Sequence, residues 1–432
     1  MRRILFVVLG TFSNGEFIIA IEFCKKLPKN KYDILFLTSS KGVNYFNQNH
    51  FDYIVLESPE SESMIQVKQK NRQKTQQILD EFKPDYIVMS DVYTMWYSAS
   101  WTGIDIEMLK SSKALVGSID SYQFKDTNYV QDFYGGYIAE LPKLMDECHF
   151  VIRYCPINKY LEQNKQVKCT CLFDFEKPNE ETRIDFCKKH HTRNDEKVII
   201  MTTSDWETLN INRLPALTNM IQWIPKIIAE CIKELDCNIT IIHVGPQPLD
   251  TDFNKTKIHY QYHKFLSPDV YNAYLNYSDL FITTNIISTT LAQAVYHNTP
   301  SIVFQNSKYI NFSQMAGILE KMPDWYVQMA NDVSVAYPFR LFPFGWYEFL
   351  KPLLEDNPYC STFVQVNIFK KNMIIKKLKT YLYDEGEIDK LRKIQSNYIS
   401  TVLKLPSPDE ILQSLTKDYL ISGKGDNGIV KV

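Results

Sequence analysis

The chain has 432 residues, 45% of them hydrophobic, with 48 Lys and Arg against 50 Asp and Glu for a formal net charge of −2. That size and apolar content suit two ordinary domains with separate cores, and the near balance of charge offers no overall attraction to nucleic acid or to an anionic membrane. No run approaches the ~18 apolar residues of a membrane-spanning helix, so nucleic acid is not an expected partner and any membrane contact would be peripheral.

Met1-Arg2-Arg3 before an apolar run resembles a signal peptide, but the run is short and lacks a small-residue cleavage pattern. Ile4 to Leu9, ended by Gly10, reads instead as a first parallel strand buried on both faces. Gly15 opens a helix from Phe17 to Leu27, closed by Lys25, Lys26 and Pro28. Strands follow at Tyr32 to Thr38 and Tyr53 to Leu56, then a polar helix at Met64 to Phe82. Further strands are expected at Tyr86 to Ser90, Ala114 to Ser118 and Phe150 to Tyr154. Such alternation predicts a doubly wound parallel sheet. The rhythm fades after Asn158 into polar sequence and resumes at Val198 to Thr202. A helix at Ile221 to Leu235 precedes strands at Asn238 to Val244 and Ile258 to Tyr262, a helix at Pro268 to Leu275, and strands at Phe281 to Thr284 and Ser301 to Phe304. The aromatic stretch 336–359 reads either as a surface excursion packed by its own side chains or as a pocket wall using Trp346 or Tyr347. Helices are expected at Val366 to Leu382, Ile388 to Val402 and Pro408 to Leu415, with a frayed end from Gly423.

Nine cysteines without a CxxC pair suit reduced core thiols of a cytoplasmic protein. Cys169 and Cys171 make a weak pair of metal ligands, and no metal is expected. Asp250 and Asp252 spell D-T-D in a polar loop, a poor setting for Mg²⁺. His259 and His263 fall on a strand and loop rather than one helical face, and His243 reads as a satisfied core histidine.

The most informative stretch runs from Tyr277 to Ser307, YSDLFITTNIISTTLAQAVYHNTPSIVFQNS. Asp279 leads a strand; Asn285 follows it; Ser288, Thr289 and Thr290 then stand at the start of a helix over Leu291 to Tyr296, stopped by Asn298-Thr299-Pro300 before the next strand. Serine and threonine are common N-caps, and a helix start with free N–H groups and a favourable dipole also holds phosphate. This order resembles the donor-binding region of GT-B glycosyltransferases, with Ile286-Ile287 in place of the usual Gly-Gly.

The resemblance implies two tandem Rossmann-like, doubly wound α/β domains facing a cleft. Residues 1–165 would form an acceptor domain, 166–196 a linker, 197–386 a nucleotide-sugar donor domain, and 387–432 helices bracing the first domain. It implies a nucleotide-diphosphate sugar as co-substrate, a UDP-sugar before others, with no further cofactor. Donor contacts would come from Asn285, Ser288, Thr289, Thr290 and Gln293, and from Gln305 and Asn306 at the end of the last core strand. Thr203, Ser204 and Trp206 follow the first strand of that domain, where hydroxyls can approach a diphosphate and an indole can stack on a base. Gly245 marks a close backbone approach, and Lys264, Phe265 and Leu266 occupy the segment that contacts a nucleobase in the family. Gln293 stands where retaining members carry an acid, which leans the reading towards inversion.

The first loop, Gly10 to Glu16, has G-x4-G spacing and is neither a dinucleotide fingerprint nor a P-loop. Inverting members place a histidine base after its last glycine; here Gly15 is followed by Glu16. Glu16 is therefore either the base that deprotonates the acceptor or an acidic residue favouring a helix N-terminus. Asp91 and Asp120 end neighbouring strands and either act on the acceptor or cap their loops. Two rivals remain: a nucleotide-sugar 2-epimerase of the same fold, and a non-catalytic partner subunit. The sequence does not name sugar, base or acceptor, nor an oligomeric state.

Overall fold

The computed structural model describes residues 1–11, 15–58, 63–132, 138–159, 161, 163–172, 183–190, 196–204, 218–305, 316–334 and 346–421. The chain divides into two compact units, one comprising Met1–Asn128, Leu141–Phe173 and Thr401–Val432, the other Tyr129–Glu140 and Asp174–Ser400. Each is built on a parallel sheet with helices, so the doubly wound α/β expectation holds for both halves.

In the first unit the strands are β1 (Arg2–Val8), β2 (Tyr32–Thr38), β3 (Asp52–Val55), β4 (Tyr86–Met89) and β5 (Leu115–Ile119). A short antiparallel hairpin, β6 (Val130–Asp132) and β7 (Ile138–Glu140), belongs to the second unit; the first sheet then continues with β8 (Phe150–Cys155) and β9 (Val167–Cys171). Spatial order is β3-β2-β1-β4-β5-β8-β9, with every pairing parallel. Ile4 to Leu9 are each at most 1% exposed, which explains their unbroken apolar run: a central strand covered on both faces has no polar side. Phe6 stacks on Phe36 of β2 at 5.3 Å and Phe36 on Phe46 at 4.2 Å, tying the sheet to the Val43–Gln48 helix.

Strand β9 corrects the reading of 166–196 as a linker. Its sequence, VKCTC, is short and carries Lys168, so it lacks an apolar signature. Lys168 is nevertheless buried, and its ammonium meets Asp418 at 2.8 Å. That partner lies on the Pro408–Ile421 helix, 250 residues away in sequence.

The second sheet holds β10 (Lys197–Thr202), β11 (Ile239–Val244), β12 (Ile258–His263), β13 (Leu280–Thr283), β14 (Ser301–Gln305) and β15 (Val364–Asn367), in the order β12-β11-β10-β13-β14-β15 and again parallel. The Thr218–Lys233 helix covers it with Trp223, Ile224, Ile227, Ile228, Cys231 and Ile232, all buried at helical spacing. Strand β15 is a second correction. The helix expected from Val366 starts only at Lys371, because Val364 to Asn367 pair with β14 and Asn367 caps the turn by accepting from the Phe369 amide at 3.0 Å.

The tail read from the sequence as one piece, 387–432, divides between the two units at Ser400 and Thr401. The Glu385–Val402 helix stays with the second unit up to Ser400, where the buried Gln395 amide donates to the carbonyls of Thr299 and Thr362, both at 3.0 Å. The Pro408–Ile421 helix belongs to the first unit. There the Tyr86 hydroxyl donates to the Leu412 carbonyl at 2.9 Å, Arg2 donates to Thr416 at 2.6 Å, and Asp409 accepts from Lys31 and Tyr32, both at 2.8 Å.

Candidate functional site

In a doubly wound sheet the strand order reverses once, and ligands bind at the carboxyl ends of the two strands flanking that reversal. In the second unit those strands are β10 and β13. Thr202, Thr203 and Ser204 leave the first of them, and Asn285 to Thr290 leave the second. Side-chain contacts cross the reversal: Asn285 Nδ2 donates to Ser204 Oγ at 3.3 Å, Thr283 Oγ1 donates to the Thr202 carbonyl at 3.4 Å, and the Thr202 and Thr290 hydroxyls lie 3.5 Å apart.

Local chemistry builds the turn after β13. Asn285 Oδ1 accepts from the Ile287 amide at 3.2 Å and the Asn285 carbonyl from the Ser288 amide at 3.2 Å, which folds the chain back on itself. Ile286 and Ile287 are 3% and 9% exposed, so the pair standing where glycines were expected is turned into the interior. Ser288 then caps the Thr289–Tyr296 helix, its Oγ accepting from the Leu291 amide at 3.1 Å and from Thr290 Oγ1 at 3.1 Å. The first amides of a helix have no intrahelical acceptor, and the dipole adds positive potential there. Thr289 and Thr290 are half-buried at this mouth, and the buried Tyr271 phenol lies beside Thr290.

The neighbouring loop is held by a buried chain. Thr203 Oγ1 is 3.0 Å from His243 Nε2, and His243 Nδ1 is 2.9 Å from the Tyr260 hydroxyl, which also accepts from the Leu249 amide at 2.9 Å. Burial lowers the His243 pKa from 6.5 to about 4, so the ring is neutral at pH 7. Its satisfied core position is as the sequence suggests. Gly245 is where this packing is tightest, since a Cβ there would lie 1.9 Å from Thr203 Oγ1.

Other expected donor residues are more scattered. Lys264 and Phe265 are exposed, with Leu266 half-buried, at the end of the edge strand β12, one strand beyond β11. Gln305 ends β14, is buried, and donates its amide to Gln365 of β15. Gln293 is half-buried in the second turn of the capped helix. Trp206 and Asn306 lie outside the described residues, as does part of the aromatic 336–359 stretch. Asp279 sits at the opposite end of β13, where it accepts from the Val198 amide at 2.8 Å and pairs with Lys197 at 3.1 Å.

In the first unit the reversal falls between β1 and β4. Glu16 comes from the first turn of the Gly15–Lys25 helix after β1, and Asp91 and Thr94 from the start of the Val92–Thr102 helix after β4. They meet: Thr94 Oγ1 donates to Glu16 Oε1 at 3.0 Å. Asp91 is the N-cap of its helix, accepting from the amides of Tyr93 at 2.8 Å and Thr94 at 3.4 Å. Burial pushes its carboxyl up from 3.8 to about 6, against the pull of those amides and with a smaller push from Asp120.

Asp120, after β5, is fully buried. It accepts from the Phe124 and Lys125 amides at 2.8 and 3.2 Å and faces Arg153 Nε at 3.5 Å, while Arg153 also pairs with Asp126. Burial raises the Asp120 pKa and Arg153 offsets part of that rise. Thr94 and Arg153 are the two partners that sequence reasoning missed. Neither sits in a motif, and each meets its carboxylate only through strand adjacency.

Among the described residues no group of three or more His, Cys, Asp and Glu could hold a metal ion. Asp250 pairs with Lys226 at 3.6 Å and Asp252 accepts from the Asn254 amide at 2.8 Å. Cys169 and Cys171 are buried in β9.

A family model described as "Family of unknown function (DUF6365)" matches residues 23–424. No curated protein sequence matches the chain. Among solved structures, the chain is similar to a glycosyltransferase from Rickettsia africae ESF-5, at 14% identity over 99% of both chains with a TM-score of 0.54. It is also similar to the spinosyn rhamnosyltransferase SpnG, at 10% identity over 96% of this chain and 100% of that one with a TM-score of 0.55. A UDP-GlcNAc 2-epimerase from Neisseria meningitidis, bound to UDP-GlcNAc, matches at 12% identity over 96% and 100% with a TM-score of 0.52. These likenesses establish the fold, two parallel-sheet α/β units as in GT-B glycosyltransferases.

Proposed function

The chain belongs to the DUF6365 family, described as a family of unknown function, and we propose that it is a glycosyltransferase moving a sugar from a nucleotide-diphosphate donor to an acceptor hydroxyl. The observation that carries this reading is the second unit's helix mouth, where Ser288, Thr289 and Thr290 stand beside Thr202, Ser204 and Asn285 at the strand reversal. A diphosphate there would meet free amides and the positive end of the dipole, which stabilise the charge that grows on it as the glycosidic bond breaks.

The donor is a UDP-sugar, and the reaction inverts without a metal. Thr203 shapes the phosphate loop through His243 and Gly245. Trp206 and Lys264 to Leu266 serve the base in this reading, and Gln293, Gln305 and Asn306 the ribose and sugar. In the first unit Glu16 is the base. It removes the acceptor's hydroxyl proton, the oxygen attacks the anomeric carbon, and the nucleoside diphosphate departs with the electron pair of the broken C–O bond. Asp91 and Asp120 shape the acceptor side.

The test is release of UDP from a panel of UDP-sugars that depends on added acceptor, followed by the Glu16→Gln variant. Acceptor-dependent release, lost on the order of 10²-fold or more in that variant, is the expected result; undiminished release would remove Glu16 from the mechanism. The raised Asp91 carboxyl also suits a second reading, a nucleotide-sugar 2-epimerase. Donor incubated alone would then yield an isomer with no release of nucleotide.

A further inference from the structure

Resting on the assignment of Glu16 as base, the geometry points to Thr94 as the residue that positions it. The Glu16 carboxylate lies against the main chain of Gly10, where a Cβ would come within 2.8 Å of Oε2 and 3.0 Å of Cδ. Its Oε1 accepts the Thr94 hydroxyl at 3.0 Å. One oxygen is thus tied to the helix after β4 while the whole group rests on the end of β1. A carboxylate so fixed has lost rotational freedom that a base on a bare helix turn keeps.

The Asp91 carboxyl adjoins the same residue through the main chain, accepting the Thr94 amide at 3.4 Å. The Thr94 hydroxyl has a single proton to donate. That proton goes to Glu16 Oε1, while Asp91 accepts the backbone amides of Tyr93 and Thr94. We propose that Thr94 donates to ionised Glu16 and holds it in the orientation that receives the acceptor's proton. The balance is simple: the acceptor O–H bond breaks, its proton joins Glu16, its electron pair becomes the nucleophile, and Thr94 keeps its own proton throughout. Among the described residues, the charges near this pair include Asp91 and, next to Asp91, Asp120, which faces Arg153; Arg153 also pairs with Asp126.

The test compares Thr94→Val and Thr94→Ser with the wild type in two measurements. The first is a ¹³C-glutamate titration of the whole chain, with the Glu16 signal identified by its loss in Glu16→Gln. Removing a donor to a carboxylate disfavours the charged form, so Glu16 titrates at higher pH in Thr94→Val and returns to the wild-type pH in Thr94→Ser. The second is turnover with a UDP-sugar and acceptor. Thr94→Val lowers kcat on the order of 10²-fold with acceptor KM unchanged, moves the acid limb of the kcat profile upward, and is rescued by serine. A Glu16 titration that is the same in wild type and Thr94→Val overturns the proposal, whatever the activity. A titration that shifts in a protein transferring no sugar keeps the Thr94–Glu16 coupling and rejects the glycosyl-transfer reading instead.

Discussion

Gly245 shows how a single missing Cβ sets the packing of the loops that follow β10 and β11. Its main chain passes so close to Thr203 that any side chain would overlap the hydroxyl, and that hydroxyl is already bonded to His243. Gly245→Ala should therefore destabilise the protein by about 1–3 kcal/mol through overpacking. Adding Thr203→Ala should recover part of the loss, because the overlapping oxygen is gone while the Thr203 Cβ and His243 Nε2 stay 3.2 Å from the new methyl. Urea denaturation of the single and double variants measures this, and a double variant no better than Gly245→Ala would show that the strain lies elsewhere. Gly245 was legible in the sequence as a strand-ending glycine, and Glu16 as the acid following a cleft-loop glycine. Thr94 was not, because a threonine after an N-cap aspartate is ordinary helix chemistry until β1 and β4 are known to be neighbours.

Among the elements that escaped the sequence are β9 and β15, one edge strand of each sheet. β9 and β15 are five and four residues long, one carrying lysine and the other alternating Val-Gln-Val-Asn, and each is defined by its neighbour more than by its own pattern. The central strands were readable because burial on both faces demands continuous apolar sequence. The Pro408–Ile421 helix shows the same dependence on distant partners. Leu412 is fully buried and its carbonyl accepts from Tyr86 of β4, so the helix belongs to the first unit although it ends the described chain. Leu412→Ala should cost about 2–5 kcal/mol, read as a lowered urea midpoint. A change within experimental error would mean that the helix does not share that core.

At the scale of the whole molecule, alternation of strand and helix through both halves made the paired α/β architecture readable, while the unit boundaries depended on contacts between distant segments. The two units should answer acid in opposite senses. His243 and His297 are lowered from 6.5 to about 4 by burial, so the stability they contribute is present above pH 6.5 and is lost as pH falls towards 4. Asp91 is raised from 3.8 to about 6, so its contribution is lost as pH rises through 6 and regained on acidification. Hydrogen exchange followed from pH 7 to 5, corrected for intrinsic rates, should show protection falling in β10 to β14 relative to β1, β4 and β5. Parallel loss in both sheets would contradict these assignments.

The central claim is that the mouth of the Thr289–Tyr296 helix holds a diphosphate, and Thr289→Asp tests it with little risk to the fold. An acid in the first turn favours the helix dipole, whereas a fixed negative charge at that point repels phosphate. Calorimetric titration with UDP should give saturable binding to the wild type and a loss of at least about tenfold, or 1.4 kcal/mol, in the variant, with thermal stability retained. Equal affinity in the two proteins, or no UDP binding by the wild type, would contradict the account.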